Sequence, residues 1–197
     1  MTGAEANPYA PPKAAVADIA PAVAAAEPIF FPVSRTKLIV LLILTLTMYQ
    51  LVWFYKNWAL VRRRGESVWP LPRTLFGVLF CYSLFERVRV RGAPLGVRLD
   101  AGLLAAGFIL FSVVGNLIDR FAGIADSVAA SGIGALLLYV AVFFLVPVQS
   151  AINTINRAEV PDHDPNDRFT ALNWVWIVLG GLFIGLVALG LSLPEPQ

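Results

Sequence analysis

Four long apolar runs, each uncharged through its core, alternate along the chain with segments that carry most of its charged residues. The first, "LIVLLILTLTMYQLVWF", occupies 38–54 and reaches its full length near residue 58. The second covers about 100–118. The third, at about 128–150, contains "VAASGIGALLLYVAVFFLVPV", and the fourth, at 171–193, contains "LNWVWIVLGGLFIGLVALGLSL". A bilayer core about 30 Å thick needs roughly 20 mostly apolar residues at a rise of 1.5 Å each. The pattern therefore predicts an all-α, polytopic membrane protein with four transmembrane helices.

A fifth apolar run, "TLFGVLFCYSLF" at 74–85, is too short for that role at twelve residues. Backward extension meets Arg73 and two prolines, Pro70 and Pro72, which interrupt a continuous helix. The expectation is a short re-entrant or interfacial helix near 74–86. Ahead of all the runs, residues 1–36 are Ala- and Pro-rich with balanced, scattered charges, and lack the basic start and apolar core of a signal peptide. They read as a disordered tail. Residues 37–193 then form a single transmembrane helical domain, and 194–197 a short second tail.

Composition agrees with this division. The chain is 58% hydrophobic and only 14% charged, against about 25% charged residues in soluble domains. The single cysteine, Cys81, excludes an intramolecular disulfide and a cysteine-based metal site. It lies within an apolar run and reads as a packed thiol.

Charge distribution adds an orientation. Between the first two runs, residues 56–98 hold nine of the fifteen basic residues against Glu66 and Glu86, a net +7. The segment after the second run, with Asp119, Arg120 and Asp126, is net −1. Lys/Arg-rich loops stay in the cytoplasm, so the loop 56–100 is expected to be cytoplasmic. The third connection, 157–168, falls on the same side although it is net −2; acidic residues weigh little in this rule.

At the end of the first run, "TMYQLVWFYKNWALVRRR" interleaves aromatics with cations. Trp and Tyr favour the headgroup level, and basic side chains reach toward lipid phosphate. Trp53, Tyr55, Lys56, Trp58, Arg62, Arg63 and Arg64 are thus the candidate lipid-interface residues. No nucleic-acid recognition module accompanies them.

Other motifs carry less chemistry. "PDHDPND" at 161–167 begins like a calcium loop but has Asp167 at the glycine position and Asn173 in place of the final Glu. No metal site is expected, and Asp162, His163 and Asp164 are the only candidates for one. Gln149, Asn153 and Asn156 fall on one helical face at i, i+4 and i+7, suited to bonding between helices or to lining a small vestibule. Asn116, Asp119 and Asn173 also sit at run ends. Gly181 and Gly185 form a GxxxG in the fourth run, a helix-packing face within the chain or between copies. No Walker loop, GxSxG, HExxH or dinucleotide fingerprint occurs, so no catalytic residue and no cofactor is assigned.

The block Tyr49, Trp53, Phe54, Tyr55 and Lys56 resembles the close of the first membrane helix in a family of small, uncharacterised bacterial integral membrane proteins, a domain of unknown function. "NPYAPP" at the start, Pro72-Arg73 with Phe76, and Asn166 with Arg168, Phe169 and Thr170 fit the same pattern. The resemblance spans most of 34–193. It implies a bacterial cytoplasmic (inner) membrane location and brings no activity. The functional expectation is an accessory or structural membrane protein that binds anionic lipid, a second copy or another membrane protein. A small transporter or channel subunit and a lipid-acting enzyme are the alternatives.

Overall fold

The computed structural model describes residues 26–124 and 127–192. Among these residues the regular structure is entirely helical: α1 (Arg35–Leu44), α2 (Tyr49–Arg63), α3 (Pro70–Leu75), α4 (Gly77–Gly92), α5 (Ala101–Ile124), α6 (Val128–Phe143), α7 (Leu145–Glu159) and α8 (Ala171–Ser192), with a 3-10 turn at Ala93–Leu95. The expectations for most of the tail at 1–36, including "NPYAPP", and for 194–197 lie outside the described residues.

Three stretches are long and apolar enough to cross a membrane: Ala101–Ile124, Val128–Glu159 and Ala171–Gly190. The second joins α6 to α7. Pro147 lacks an amide hydrogen, and its ring collides with the carbonyl four residues earlier, which is that of Phe143. α6 ends at Phe143, and the Phe144 amide turns back to the Ala141 carbonyl at 3.1 Å.

The first apolar run is not one continuous helix. It divides into α1 and α2 at residues 45–48, where Leu46 (φ 51°) and Thr47 (φ 66°) take left-handed conformations. Such values are strained for a β-branched residue. Thr45 supports the break by donating its hydroxyl to Leu41 O at 2.6 Å and accepting from the Tyr49 amide at 2.9 Å. Hydrophobic periodicity cannot reveal this interruption, because both halves remain apolar through it.

The short fifth run starts α4, which continues past it to Gly92. Cys81, Leu84, Phe85 and Val88 are buried, a stripe at helical spacing. The outer face shows the opposite character: Leu79 is 73% exposed, and α3 just ahead exposes Leu71 and Leu75. Trp69 and Phe76, which flank α3, are exposed as well. Soluble proteins seldom leave so contiguous an apolar patch to water.

The buried core gathers where α2, α4, α5 and α7 meet. Trp53 packs edge-on against Phe54 (5.1 Å between centroids) and Phe85 (6.5 Å), and Phe54 continues to Phe108 at 5.8 Å. α8 stands apart. Its main helix partner is α1, and most of its large apolar side chains are exposed.

Candidate functional site

Three buried side-chain amides, those of Asn57, Gln149 and Asn156, converge on one object, the irregular segment 29–34 ahead of α1. Ile29, Phe30 and Val33 are buried, so residues the sequence assigned to a tail belong to the core. The side chains sit among helices, and the main chain is held by amides. Asn156 of α7 pairs with Phe30 twice, accepting from its N–H at 3.1 Å and donating to its C=O at 2.8 Å. Asn57 of α2 accepts the Phe31 N–H at 3.0 Å, and Gln149 donates to the Phe31 carbonyl at 3.2 Å. Asn153 donates to Val33 O at 2.9 Å, and Asn166 to Pro32 O at 3.0 Å.

This strap belongs to no helix and, among the described residues, has no neighbouring strand to satisfy its backbone; an unpaired buried amide or carbonyl costs about 1–3 kcal/mol. Side-chain amides carry both a donor and an acceptor and so replace the missing strand. The face shared by Gln149, Asn153 and Asn156 is therefore real, but its partner is main chain. The hydrogen bonds of these three residues are taken up by the strap, by each other and by the Trp53 indole, Gln149 also donating to Asn153 Oδ1 at 2.8 Å.

Lys37 extends the arrangement. It is buried, and its ammonium donates to Asn166 Oδ1 at 2.7 Å and to the Arg168 carbonyl at 2.6 Å. "PDHDPND" thus serves as an anchor for α1 and the strap. Asn166 takes a left-handed conformation (φ 50°), which asparagine tolerates, and its amide N–H bonds Asp164 Oδ1 at 2.8 Å. His163 is buried with Nδ1 at 2.6 Å from Val160 O, whereas Asp162 is exposed. The structure does not bring Asp162, His163 and Asp164 together around a point; among the described residues no group of three or more His, Cys, Asp or Glu could hold a metal ion.

The interface candidates at the end of the first run separate into two sets. Tyr55, Lys56, Arg62, Arg63 and Arg64 are exposed. Trp53 and Trp58 are not: both are buried in the core, which corrects the expectation of an outward aromatic belt. The reason is helical geometry, since Trp53, Phe54, Asn57, Trp58 and Val61 form the inner stripe of α2. The Trp53 indole donates to Gln149 Oε1 and thereby joins the strap clamp. Trp58 lies beneath two guanidiniums, Arg73 at 4.6 Å and Arg87 at 5.4 Å from the ring centroid, and its Nε1–H has no hydrogen-bond partner among the described residues.

Gly181 and Gly185 do not pack within the chain, since a Cβ at either would meet nothing within 4 Å. The glycine that brings α8 against its neighbour is Gly180, where a Cβ would overlap the Leu44 carbonyl oxygen. Gly115 of α5 and Gly134 of α6 mark another close crossing, the Cβ position of each lying within 3.0 Å of the other's carbonyl oxygen. Asn116 and Asn173 act locally. The former donates to Ser112 O at 2.7 Å, and the latter forms a reciprocal cap with Thr170 at the start of α8.

Beside the strap, along α4, opens a groove of about 1000 Å³. Ile29, Phe30, Val61, Val90 and Leu95 supply its apolar wall. Arg64, Arg87 and Arg91 supply guanidiniums, and Glu66, Glu86 and Glu159 an equal number of carboxylates. Arg87 pairs with Glu66 at 2.7 Å, and Arg91 Nε donates to Glu159 at 2.8 Å. Arg89, outside the groove, bonds Glu86 and holds its carboxyl below the ordinary range. Among the described residues Arg64 meets the carbonyl oxygens of Glu27 at 3.2 Å and Pro28 at 2.9 Å and no carboxylate. The basic loop is less cationic than its sequence, since Arg63 pairs with Glu27; Lys56, Arg62 and Arg98 are exposed and form no ion pair among the described residues.

Sequence reasoning missed the strap and the groove because both depend on residues 29–34. A signal was present. "IFF" at 29–31 is the one bulky apolar cluster in the first 36 residues, set between Pro28 and Pro32. Comparison of the chain with family models, with curated proteins and with solved structures finds no match in any of the three.

Proposed function

We propose that this chain is a multi-pass accessory protein of the membrane, which engages lipid and membrane partners through the face formed by α3, α4 and the end of α2. The observation that carries this reading is the joining, on one face, of an exposed apolar patch with an amphipathic groove. Trp69, Leu71, Leu75, Phe76 and Leu79 make the patch, and Arg and Glu side chains rim the groove beside it. An interfacial helix has this character, with its apolar side in the acyl boundary and its charged side at the headgroups. Lys56, Arg62 and Arg98 add attraction toward an anionic leaflet.

In this reading α1 and α2 together make a fourth, broken passage beside the three continuous spans, and α3–α4 lie at the cytoplasmic interface. Broken helices occur at membrane depth where protein covers the freed backbone, and Gly180 brings α8 over the Leu44 carbonyl. The resemblance to small bacterial inner-membrane proteins fits the same placement.

Crosslinking in native membranes, followed by mass spectrometry of the captured proteins and lipids, tests the proposal. An enriched lipid class or membrane protein, attached at α3 or α4, is the expected result. Recovery of lipid in bulk proportion, with no enriched partner, overturns it.

A further inference from the structure

Two arginines share the ring of Trp58 and are satisfied differently. Arg87 has its guanidinium carbon 5.4 Å from the ring centroid, and its donors are taken. Nε and Nη2 go to Glu66 Oε2 at 3.0 and 2.7 Å, and Nη1 to the Ser83 hydroxyl at 2.6 Å. Arg73 lies closer, 4.6 Å from the same centroid, and also 5.1 Å from that of Phe80. It is partly buried, yet among the described residues its guanidinium meets no carboxylate and no hydrogen-bond acceptor. Ring faces attract a guanidinium and hold it in place, but they leave its five N–H donors without an oxygen. Taking a charge partly out of water with no counter-ion is unfavourable. An anion completes such a site, and the guanidinium fork fits two oxygens of one phosphate.

The surroundings indicate what carries that anion. Trp69 and Phe76 stand four residues before Arg73 and three after it, a spacing that sets side chains on one helical face with Cβ atoms about 5–6 Å apart. The turn is helical through both: the Arg73 amide bonds Trp69 O at 3.4 Å, and the Phe76 amide bonds Pro72 O at 3.0 Å. Both aromatic side chains are exposed, and Leu71 and Leu75 expose a second apolar strip on the same short helix. A free phosphate at Arg73 would leave these side chains in water, whereas a phosphate that bears acyl chains covers them.

We infer that Arg73 holds the phosphate of an anionic phospholipid, whose acyl chains lie against Trp69 and Phe76. Arg73 contributes a cation with no counter-charge among the described residues, so a net negative headgroup neutralises it. A zwitterionic headgroup brings its own cation to the same place. The inference rests on the proposed membrane-interface role of α3 and α4, and it names the contact that holds the lipid.

The test uses the full-length protein in detergent, with retained lipid counted by native mass spectrometry. Phosphatidylglycerol, phosphatidylcholine and diacylglycerol of identical acyl chains are the probes. The expected result is retention of phosphatidylglycerol about tenfold above either of the others, the scale of one charge-assisted contact. Arg73→Gln should abolish that difference. Arg73→Lys should keep part of it, because the charge stays and the fork is lost. Arg62→Gln, at an exposed cation of α2, should leave it intact. Where Arg73→Gln fails to fold, the unaltered protein loaded with phosphatidylglycerol gives a second measurement. Glycerophosphoglycerol, the same headgroup without chains, should fail to displace the lipid at a concentration where added phosphatidylcholine also fails and labelled phosphatidylglycerol exchanges. Displacement by the chainless headgroup marks a site for free phosphate esters and overturns the inference. Equal retention of the three probes overturns it too, as does a phosphatidylglycerol preference that survives Arg73→Gln. If native-membrane crosslinking still enriches a partner at α3 or α4 in those cases, the accessory role stands and the Arg73 assignment alone falls.

Discussion

Asn156 and Phe30, 126 residues apart, form a two-bond pair in which one side-chain amide satisfies both main-chain polar groups of the other residue. Both are buried, so the pair lies where water cannot substitute. This relationship ties the strap to α7, and through Gln149 and Trp53 it ties α7 to α2. The groove beside α4 exists because of it, since Ile29 and Phe30 are part of the wall.

Replacing Asn156 by Leu keeps the approximate volume and removes both bonds. Two buried backbone groups lose their partners, at about 1–3 kcal/mol each. Asn156→Leu should therefore destabilise the protein by about 2–5 kcal/mol and lower its melting temperature in detergent. Asn153→Leu, at a partly buried site, removes the bond to Val33 O and the one from Gln149, strands only one main-chain group, and should cost less. Equal melting temperatures for Asn156→Leu and the unaltered protein would remove the strap from the account of stability.

The two core tryptophans should respond differently to the same change. Trp53 Nε1 donates to Gln149, so Trp53→Phe strands the buried glutamine oxygen and removes packing together. Trp58 Nε1 has no partner among the described residues, so Trp58→Phe removes an unsatisfied donor as well as ring area. Trp53→Phe should thus cost about 1–3 kcal/mol more than Trp58→Phe in thermal or denaturant unfolding. The reverse order would mean that the Trp58 indole nitrogen has an acceptor after all.

How much of this was legible in sequence varies by element. The apolar runs that became α5, α6–α7 and α8 declare themselves, because lipid-length hydrophobicity needs no tertiary information. The inward stripe of α2 was also readable: Trp53, Phe54, Asn57, Trp58 and Val61 repeat at helical spacing, whereas Tyr55 and Lys56 fall outside it. The amide face of α7 could be seen, but not its partner. An irregular strap has no periodicity, and all its side-chain ligands but Asn57 lie more than a hundred residues away, on α7 and just after it. The break at residues 45–48 was illegible for a related reason. Leu46 and Thr47 take left-handed conformations that their residue types do not announce.

Lys37 is a second long-range tie. Its ammonium satisfies Asn166 Oδ1 and the Arg168 carbonyl, at the end of the connection between α7 and α8. Lys37→Met keeps much of the apolar stem and strands both acceptors, for an expected loss of about 2–4 kcal/mol. Limited proteolysis gives an independent readout: the 160–170 segment should be cut faster in the variant. Unchanged cleavage there would show that the segment is held by other means.

Glycine substitutions separate packing within the chain from contacts elsewhere on α8. At Gly180 a Cβ overlaps the Leu44 carbonyl, a backbone atom that cannot rotate away. Gly180→Ala should force α8 from α1 and destabilise by about 1–3 kcal/mol or more, the usual range for overpacking. Gly181→Ala and Gly185→Ala meet open space and should leave monomer stability within about 0.5 kcal/mol. A marked loss in either of the latter two, in dilute detergent where the protein is monomeric, would contradict the placement of α8.

Orientation is open to direct measurement with single cysteines. Cys81 is buried with its thiol turned to the Val78 carbonyl, so it should resist a membrane-impermeant maleimide until the protein unfolds. In a Cys81→Ala background, Ser67→Cys reports on the basic connection between α2 and α3, where the side chain is exposed and the left-handed Gly65 is left intact. Gly123→Cys reports on the other side, at the exposed end of α5. The Lys/Arg bias predicts a cytoplasmic first site, so intact cells should label residue 123 and spare residue 67, and permeabilised cells should label both. Labelling of residue 67 from outside would invert the topology and move the α4 groove away from the cytoplasmic leaflet.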